Sequence, residues 1–296
     1  MQWNTLAEHL FGPGHQIHAN GDFLEGHAVF DGQPLTIVGT TGHAPIGVRL
    51  ALAQARVVLE TVGAHPGRPI VLLIDTQGQQ LRRHDELLGI NRAMAHLGTC
   101  IDLARRQGHR VIGLVYDQAL SGGFITSGLI ADACYALPEA EIRVMRIPAM
   151  SRITKLPESL LNALSESNPV FAPGVGNYVA MGGVRGLWQG DLQAALRDAL
   201  AHSPREDMRA LDGAERGGRK LAAEVVRRVL AAGCRQAAAC RTPCTATSWW
   251  TWARRPGRTC WNAPGMRRRA RSSRTGATMH CRWWSRGSRP TMPPPA

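Results

Sequence analysis

DQALSGGFITSGLIADACYAL, residues 117–137, follows the apolar run VIGLVYD, residues 111–117, and leads into a stretch of small residues. A continuous apolar run of this length suits a strand buried on both faces. The Ser-Gly-Gly turn after it predicts a short helix from about Phe124 to Ile130. The same order occurs earlier, where PIVLLID, residues 69–75, predicts a buried strand and is followed by Thr76-Gln77-Gly78. Two glycine turns therefore stand just after two buried strands.

Working outward, HAVFDGQPLTIVG at residues 27–39 shows two β-prone runs joined by Asp31-Gly32, a hairpin signal. In PIGVRLALAQARVVLETV, residues 45–62, Val48, Leu52, Ala55, Leu59 and Val62 recur at helical spacing. Pro45 suits the first turn of that helix, and His65-Pro66-Gly67 ends it. Leu87, Ile90, Met94, Leu97 and Ile101 mark the stripe of a second helix, and ACYAL and IRVMRI mark further strands. This alternation predicts an α/β fold with parallel strands. Beyond Pro157 the patterns are helical: ESLLNAL, LQAALRDAL and RKLAAEVVRRVL.

The formal net charge of +13 points at first to an anionic partner. Its distribution does not: residues 1–233 hold 22 Lys+Arg against 22 Asp+Glu, whereas residues 234–296 hold 13 Arg and no acidic residue. Residues 234–296 also lack Leu, Ile, Val, Phe and Tyr, yet contain six Trp and five Cys, so they have little with which to build a core. We expect a domain over residues 1–233 and a disordered Arg/Trp/Pro-rich tail over 234–296, read as GC-rich DNA translated out of frame after Gly233. Nucleic-acid binding by the tail would require that it be a selected sequence. With only Cys100 and Cys134 in the domain, no disulfide framework is present and a reducing compartment is the default. The start of the chain shows no secretory pattern and no apolar run approaches membrane-spanning length, so a cytoplasmic chain without membrane contact is expected.

The glycines lend themselves to chemistry through their backbone. Without a Cβ the chain can approach a ligand closely, and free N–H groups at a helix start point toward negative charge. Two such donors on one oxygen would form an oxyanion hole for a thioester enolate, although on spacing alone ordinary turns are the better fit. Neither the dinucleotide nor the P-loop glycine pattern is present, and no HExxH, CxxC or local His/Cys/Asp cluster supports a metal. Ser121 lacks a nucleophile elbow. His43, in TTGHAP, is expected just before a helix start, where an imidazole and free N–H groups could meet a ligand oxygen or simply cap the helix. Asp75 and Asp117 end the two buried strands, and Arg82, Arg83 and His84 form a small basic cluster after Gly78.

The order PIVLLIDTQG, long helix, VIGLVYDQALSGGFITSGLIADACYAL resembles the crotonase-like spiral of the carboxyltransferase subunits of acyl-CoA carboxylases. Its alpha-type half has a strand ending in Asp-Thr-Pro-Gly before a Ser-Gly-Gly helix start; here Gln77 stands for the proline and Gly78 keeps the glycine. Within that superfamily, TTGHAPIGVRLALAQARVV, DTQGQQLRRHDELLGINRAMAHL, IPAMSRITKLPESLL and PVFAPGVGNYVAMGGV make residues 1–233 similar to the gamma subunit of biotin-independent malonate decarboxylase. The resemblance implies a spiral of ββα units with a helical C-terminal part. It implies a carboxy-lyase subunit of malonate catabolism that acts with a homologous beta subunit on malonyl-S-acyl carrier protein, giving the acetyl thioester and CO2. Further implied partners are the acyl carrier protein and an alpha transferase. No biotin, metal or cofactor belongs to this subunit, and the substrate rides on a dephospho-CoA-type arm of the carrier. By analogy Gly78, Gly122 and Gly123 are the catalytic donors, with Ser121, Gln77, His43 and Gly42 as substrate contacts. The alternatives are a carboxyltransferase subunit for another acyl-CoA, or a non-catalytic partner of the beta subunit.

Overall fold

A computed structural model of the chain describes residues 1–167, 174–218 and 220–239. The chain divides into two units, Met1–Gly233 and Cys234–Ala296, and the architecture below is that of the first. The expectation for the tail lies, from residue 240 onward, outside the described residues.

Helix α1 (Trp3–Phe11) precedes an antiparallel meander of β1 (Gln16–Asn20), β2 (Phe23–Phe30) and β3 (Gln33–Thr40). The expected hairpin is present, turning through Asp31 and Gly32, both with positive φ (+49° and +77°) as a type I′ turn requires. Next come β4 (Ala44–Ile46), α2 (Val48–Ala64), β5 (Ile70–Gln79), α3 (Arg83–Leu87), α4 (Ile90–Arg106) and β6 (Val111–Leu120). After β6 the chain enters α5 (Ser121–Phe124), which runs straight into a π-helical turn (Ile125–Leu129), then β7 (Ala133–Ala136) and β8 (Glu141–Arg143). The remainder is helical, α6 (Ile147–Thr154), α7 (Glu158–Ser167), α8 (Val175–Ala180), α9 (Leu192–His202), α10 (Arg209–Glu215) and α11 (Lys220–Ala239), interrupted by the two-residue β9 (Gly186–Leu187).

The sheet runs β1-β2-β3-β5-β6-β7-β9, parallel from β3 onward, as the alternation predicted. Side chains of β5 alternate between two cores: Ile70, Leu72 and Ile74 join the residues of α2 and α4, while Val71 and Leu73 join those of α1 and α9. A strand covered by helices on both faces needs apolar residues at every position, and PIVLLI supplies them.

Beyond Ile74 the pairing changes. The lower part of β5 pairs with β3, but its upper part pairs with the short β4 through Thr76, Gly78 and Gln79. Likewise β6 pairs below with β7 and above with β8. Each strand thus changes neighbour partway along its length within one nine-stranded sheet, in keeping with the ββα spiral expected from the resemblance.

Three local expectations are corrected. Pro45 lies in β4 rather than in the first turn of a helix, and α2 starts at Val48; β4 pairs only with β5, an edge position where a missing N–H is tolerated. Leu52 and Leu59 are exposed; Val48 and Ala55 of the expected stripe are buried, and Ala51 and Val58 complete the buried face of α2. Leu87 is exposed as well, because Gly89, in the left-handed region, separates α3 from α4 and takes Leu87 off the Ile90, Met94, Leu97 and Ile101 stripe.

Candidate functional site

Both glycine turns come out differently from their sequence reading. Asp75-Thr76-Gln77-Gly78 is not a turn after a strand but the upper part of β5 itself. Ser121-Gly122-Gly123 is not a linker before a helix but its first turn, entered through Ser121 at φ +54°, a left-handed conformation rare for a residue with a side chain.

The structure brings Gly78, Ser121, Gly122 and Gly123 together in one seam. A Cβ placed on Gly123 would lie 2.8 to 3.0 Å from the backbone C, Cα and O of Gly78. A Cβ on Gly78 would lie 3.0 Å from the Ser121 Cβ, and Gly78 has φ +103° besides. Backbone therefore packs on backbone here, which only glycine permits.

The polar groups of the seam are specified. Thr76 Oγ1 donates to Ala44 O at 2.6 Å and accepts the N–H of Gly78 at 3.0 Å. The Gly78 amide is thus already engaged within the strand. The N–H of Gly122 points across the seam to the side chain of Gln79 and donates to its Oε1 at 3.1 Å. The Ser127 hydroxyl donates to Gly123 O at 2.7 Å and the Thr126 hydroxyl to Gly122 O at 3.1 Å. These bonds fix the first turn, whose N–H groups have no carbonyl four residues earlier within the helix.

Gly42 and His43 lie at the head of β4, on the other flank of β5. Both have positive φ, +67° and +52°. His43 precedes a strand, not the expected helix start, and its N–H is taken by Asp75 Oδ2 at 2.9 Å. Its Nε2 stands 3.7 Å from Asp75 Oδ1 and 3.5 Å from Asp117 Oδ1. Asp75 is buried and fills the splay between β4, β5 and β6; its Oδ1 also accepts the N–H of Gln118 at 3.3 Å. Burial pushes the Asp75 carboxyl above the ordinary carboxylate value, against the lowering effect of the His43 N–H and imidazole, and the charge of Asp117 adds to the rise. One donor atom from each of His43, Asp75 and Asp117 lies within 4.8 Å of the others. Separations of 32 and 42 residues hid this grouping from any search of local spacing.

Gln77 is exposed on β5, and Arg82, Arg83 and His84 are exposed where the chain enters α3. A cleft of about 740 Å³ between Leu137, Trp188, Asp191 and His9 contains none of these groups. Polar groups converge at the strand ends and not in that cleft. Sequence reasoning missed Thr76 and Gln79. Extending the strand through DTQGQ would have placed Gln77 and Gln79 on one face.

Comparison with known proteins agrees with this architecture. Residues 41–233 match the family model of the malonate decarboxylase gamma subunit. The chain is 31% identical over 209 residues to a malonyl-S-ACP:biotin-protein carboxyltransferase, MADD, of Malonomonas rubra, covering 62% of this chain and 69% of that protein. Among solved structures it is similar to a subunit of a Pseudomonas malonate decarboxylase hetero-tetramer in complex with coenzyme A, with TM-score 0.64, 25% identity and coverage of 77% of this chain and 97% of that one. The Pseudomonas MdcD–MdcE hetero-dimer gives TM-score 0.61 at the same identity and coverage. Transcarboxylase 12S shares the fold at 21% identity and TM-score 0.53, over 62% of this chain and 36% of that one. Among the described residues no helix is long and apolar enough to cross a membrane. By the match over residues 41–233, the chain belongs to the malonate decarboxylase gamma subunit family.

Proposed function

We propose that this chain acts with a homologous beta subunit to decarboxylate malonyl held as a thioester on an acyl carrier protein. Loss of CO2 breaks the bond between the α-carbon and the carboxylate. The electron pair moves into the thioester, and negative charge collects on its oxygen until the α-carbon takes a proton from water, giving the acetyl thioester. A backbone N–H aimed at that oxygen stabilises the transition state more than the ground state. The observation that carries the reading is the Gly122 N–H, which crosses the seam to a carbonyl oxygen, that of the Gln79 amide. A thioester oxygen in the same place would meet the same donor.

Two further features favour it. The exposed Arg82, Arg83 and His84 suit the phosphate of a dephospho-CoA-type arm or an acidic carrier, and the related Pseudomonas hetero-tetramer binds coenzyme A. Leu81, Leu87, Leu88, Ile125 and Val144, in segments that leave this end of the sheet, expose apolar side chains, as a partner subunit lying over the site would require. An alpha transferase that reloads the carrier completes the reaction, and neither biotin nor a metal takes part in this subunit.

The test is turnover by the purified beta–gamma heterodimer given malonyl-carrier without biotin. Release of CO2 with formation of acetyl-carrier is expected. The likeness to the Malonomonas rubra carboxyltransferase supports a second reading, transfer of the carboxyl group to a biotin protein; turnover only when such a protein is added would establish that reading and remove the first.

A further inference from the structure

Gln79 is half-buried at the top of β5 and holds the Gly122 N–H through its side-chain carbonyl at 3.1 Å. Its backbone is fixed, since β5 pairs with β4 at Gln79 and the next amide, Gln80 N–H, donates to Ile46 O at 2.8 Å. Only the side chain is free to leave. Around it, a Cβ on Gly122 would meet Gln79 Oε1 at 3.2 Å and Met94 Cε at 3.7 Å, so the amide lies close against the first turn.

We infer that the Gln79 carboxamide is an internal stand-in for the thioester carbonyl, which a substrate must displace to reach the Gly122 donor. This rests on the reading of that donor given above. The consequence is a differential one. A thioester carbonyl replacing an amide carbonyl exchanges one neutral hydrogen bond for another and gains nothing. An enolate oxygen in the same position makes a charge-assisted bond roughly twice as strong. Gln79 thereby cancels the contribution of this N–H to substrate binding and leaves its contribution to the transition state, the difference that raises turnover and not affinity. Gln79 is a positioning residue: it acts on the substrate through the Gly122 amide, which it keeps oriented while the site is empty.

The experiment compares dissociation constants of acetyl-CoA and CoA for the intact beta–gamma heterodimer, in wild type, Gln79→Met and Gln79→Glu. The two ligands differ by the thioester carbonyl, and methionine keeps the bulk of glutamine without an oxygen. Gln79→Met is expected to tighten acetyl-CoA about 2- to 10-fold, the range of one net hydrogen bond, while CoA is unchanged. Gln79→Glu, whose carboxylate grips the N–H harder, is expected to weaken acetyl-CoA by a similar or larger factor. An unchanged or weakened preference for acetyl-CoA in Gln79→Met overturns the inference, as does a wild type in which no variant separates the two ligands. If Gln79→Met tightens acetyl-CoA but wild type releases no CO2 from malonyl-carrier, the stand-in survives and the decarboxylase reading falls. If CO2 is released while Gln79→Met changes nothing, the opposite holds.

Discussion

Residues 70–74 and 75–79 are consecutive in one strand, yet they are paired, packed and charged differently. The first five are apolar, keep a regular register with β3 and β6, and alternate into two cores. The last five contain no apolar side chain beyond the methyl of Thr76, change partner from β3 to β4, and shift register against β6 between Ile74 and Thr76. Stability is concentrated in the lower half and geometry in the upper. A site built from glycine backbone cannot hold itself in place by side-chain packing, so it must be fixed to a strand that is already rigid.

The comparison breaks most visibly at the seam. Gly123→Val sets a branched side chain against the Gly78 backbone, which cannot move aside as a flexible side chain does. We expect loss of decarboxylation by roughly 100- to 1,000-fold, the cost of a displaced oxyanion donor, together with about 1 to 3 kcal/mol of overpacking. Gly122→Ala meets only the tips of Gln79 and Met94, so its melting temperature should stay well above that of Gly123→Ala. Equal losses from the two alanine variants would show that backbone contact does not define the seam.

In the lower half the expectation reverses. Leu73, 1% exposed in the core shared with α1 and α9, should cost about 2 to 5 kcal/mol on conversion to alanine. Chemical denaturation measures this. The fraction that remains folded should keep its turnover per site; a matching fall in turnover per folded molecule would mean that the halves are not separable.

Asp75 joins the two halves, and pH tests it. Its folded pKa is raised above 3.8, chiefly by burial. Below 3.8 both folded and unfolded forms are protonated and the group contributes nothing. As pH rises from there through the folded pKa, the unfolded chain loses its proton first, and wild type is progressively destabilised. Asp75→Asn lacks that proton, so its stability relative to wild type should improve as pH rises from 4 toward 7, whatever constant offset the lost hydrogen bond brings. A gap that does not change with pH would show that His43 and the backbone amides compensate the buried charge fully.

How far the sequence could be read follows the same division. VIGLVYD and PIVLLID declared buried strands because both faces of each are apolar, and Asp31-Gly32 declared the hairpin because its turn needs positive φ. The upper halves were obscured because Asp, Gln and Gly read locally as strand breakers. Their partners are also remote: His43 meets Asp75 across 32 residues, and Gln79 meets Gly122 across 43. The resemblance located the glycines but could not say that Gly78 N–H is held by Thr76, or that Gln79 occupies the donor of Gly122. Such facts depend on which atoms face each other after folding, and no spacing encodes them.

The smallest effect concerns α2, where periodicity found Val48 and Ala55 on the buried face but counted Leu52 and Leu59 with them. Leu52 and Leu59 recur at seven residues and look like a core stripe, but they are 46% and 38% exposed, whereas Ala51 and Val58 are sealed against the sheet. The reason is geometric: the Thr61 hydroxyl lies 3.1 Å from that of Thr36 on β3, and where helix and sheet approach so closely Ala51, Ala55 and Val58, all small or β-branched, are the side chains that are buried. Leu52→Ser should therefore lie within about 0.5 kcal/mol of wild type. Val58→Ala, although it removes only two carbons, should cost about 2 kcal/mol, read as a shift in denaturation midpoint at constant slope. If Leu52→Ser were the more damaging of the two in the isolated chain, the burial seen on this helix would be wrong. If it became damaging only in the presence of the beta subunit, Leu52 would lie under that partner, and the exposed face of α2 would belong to the interface.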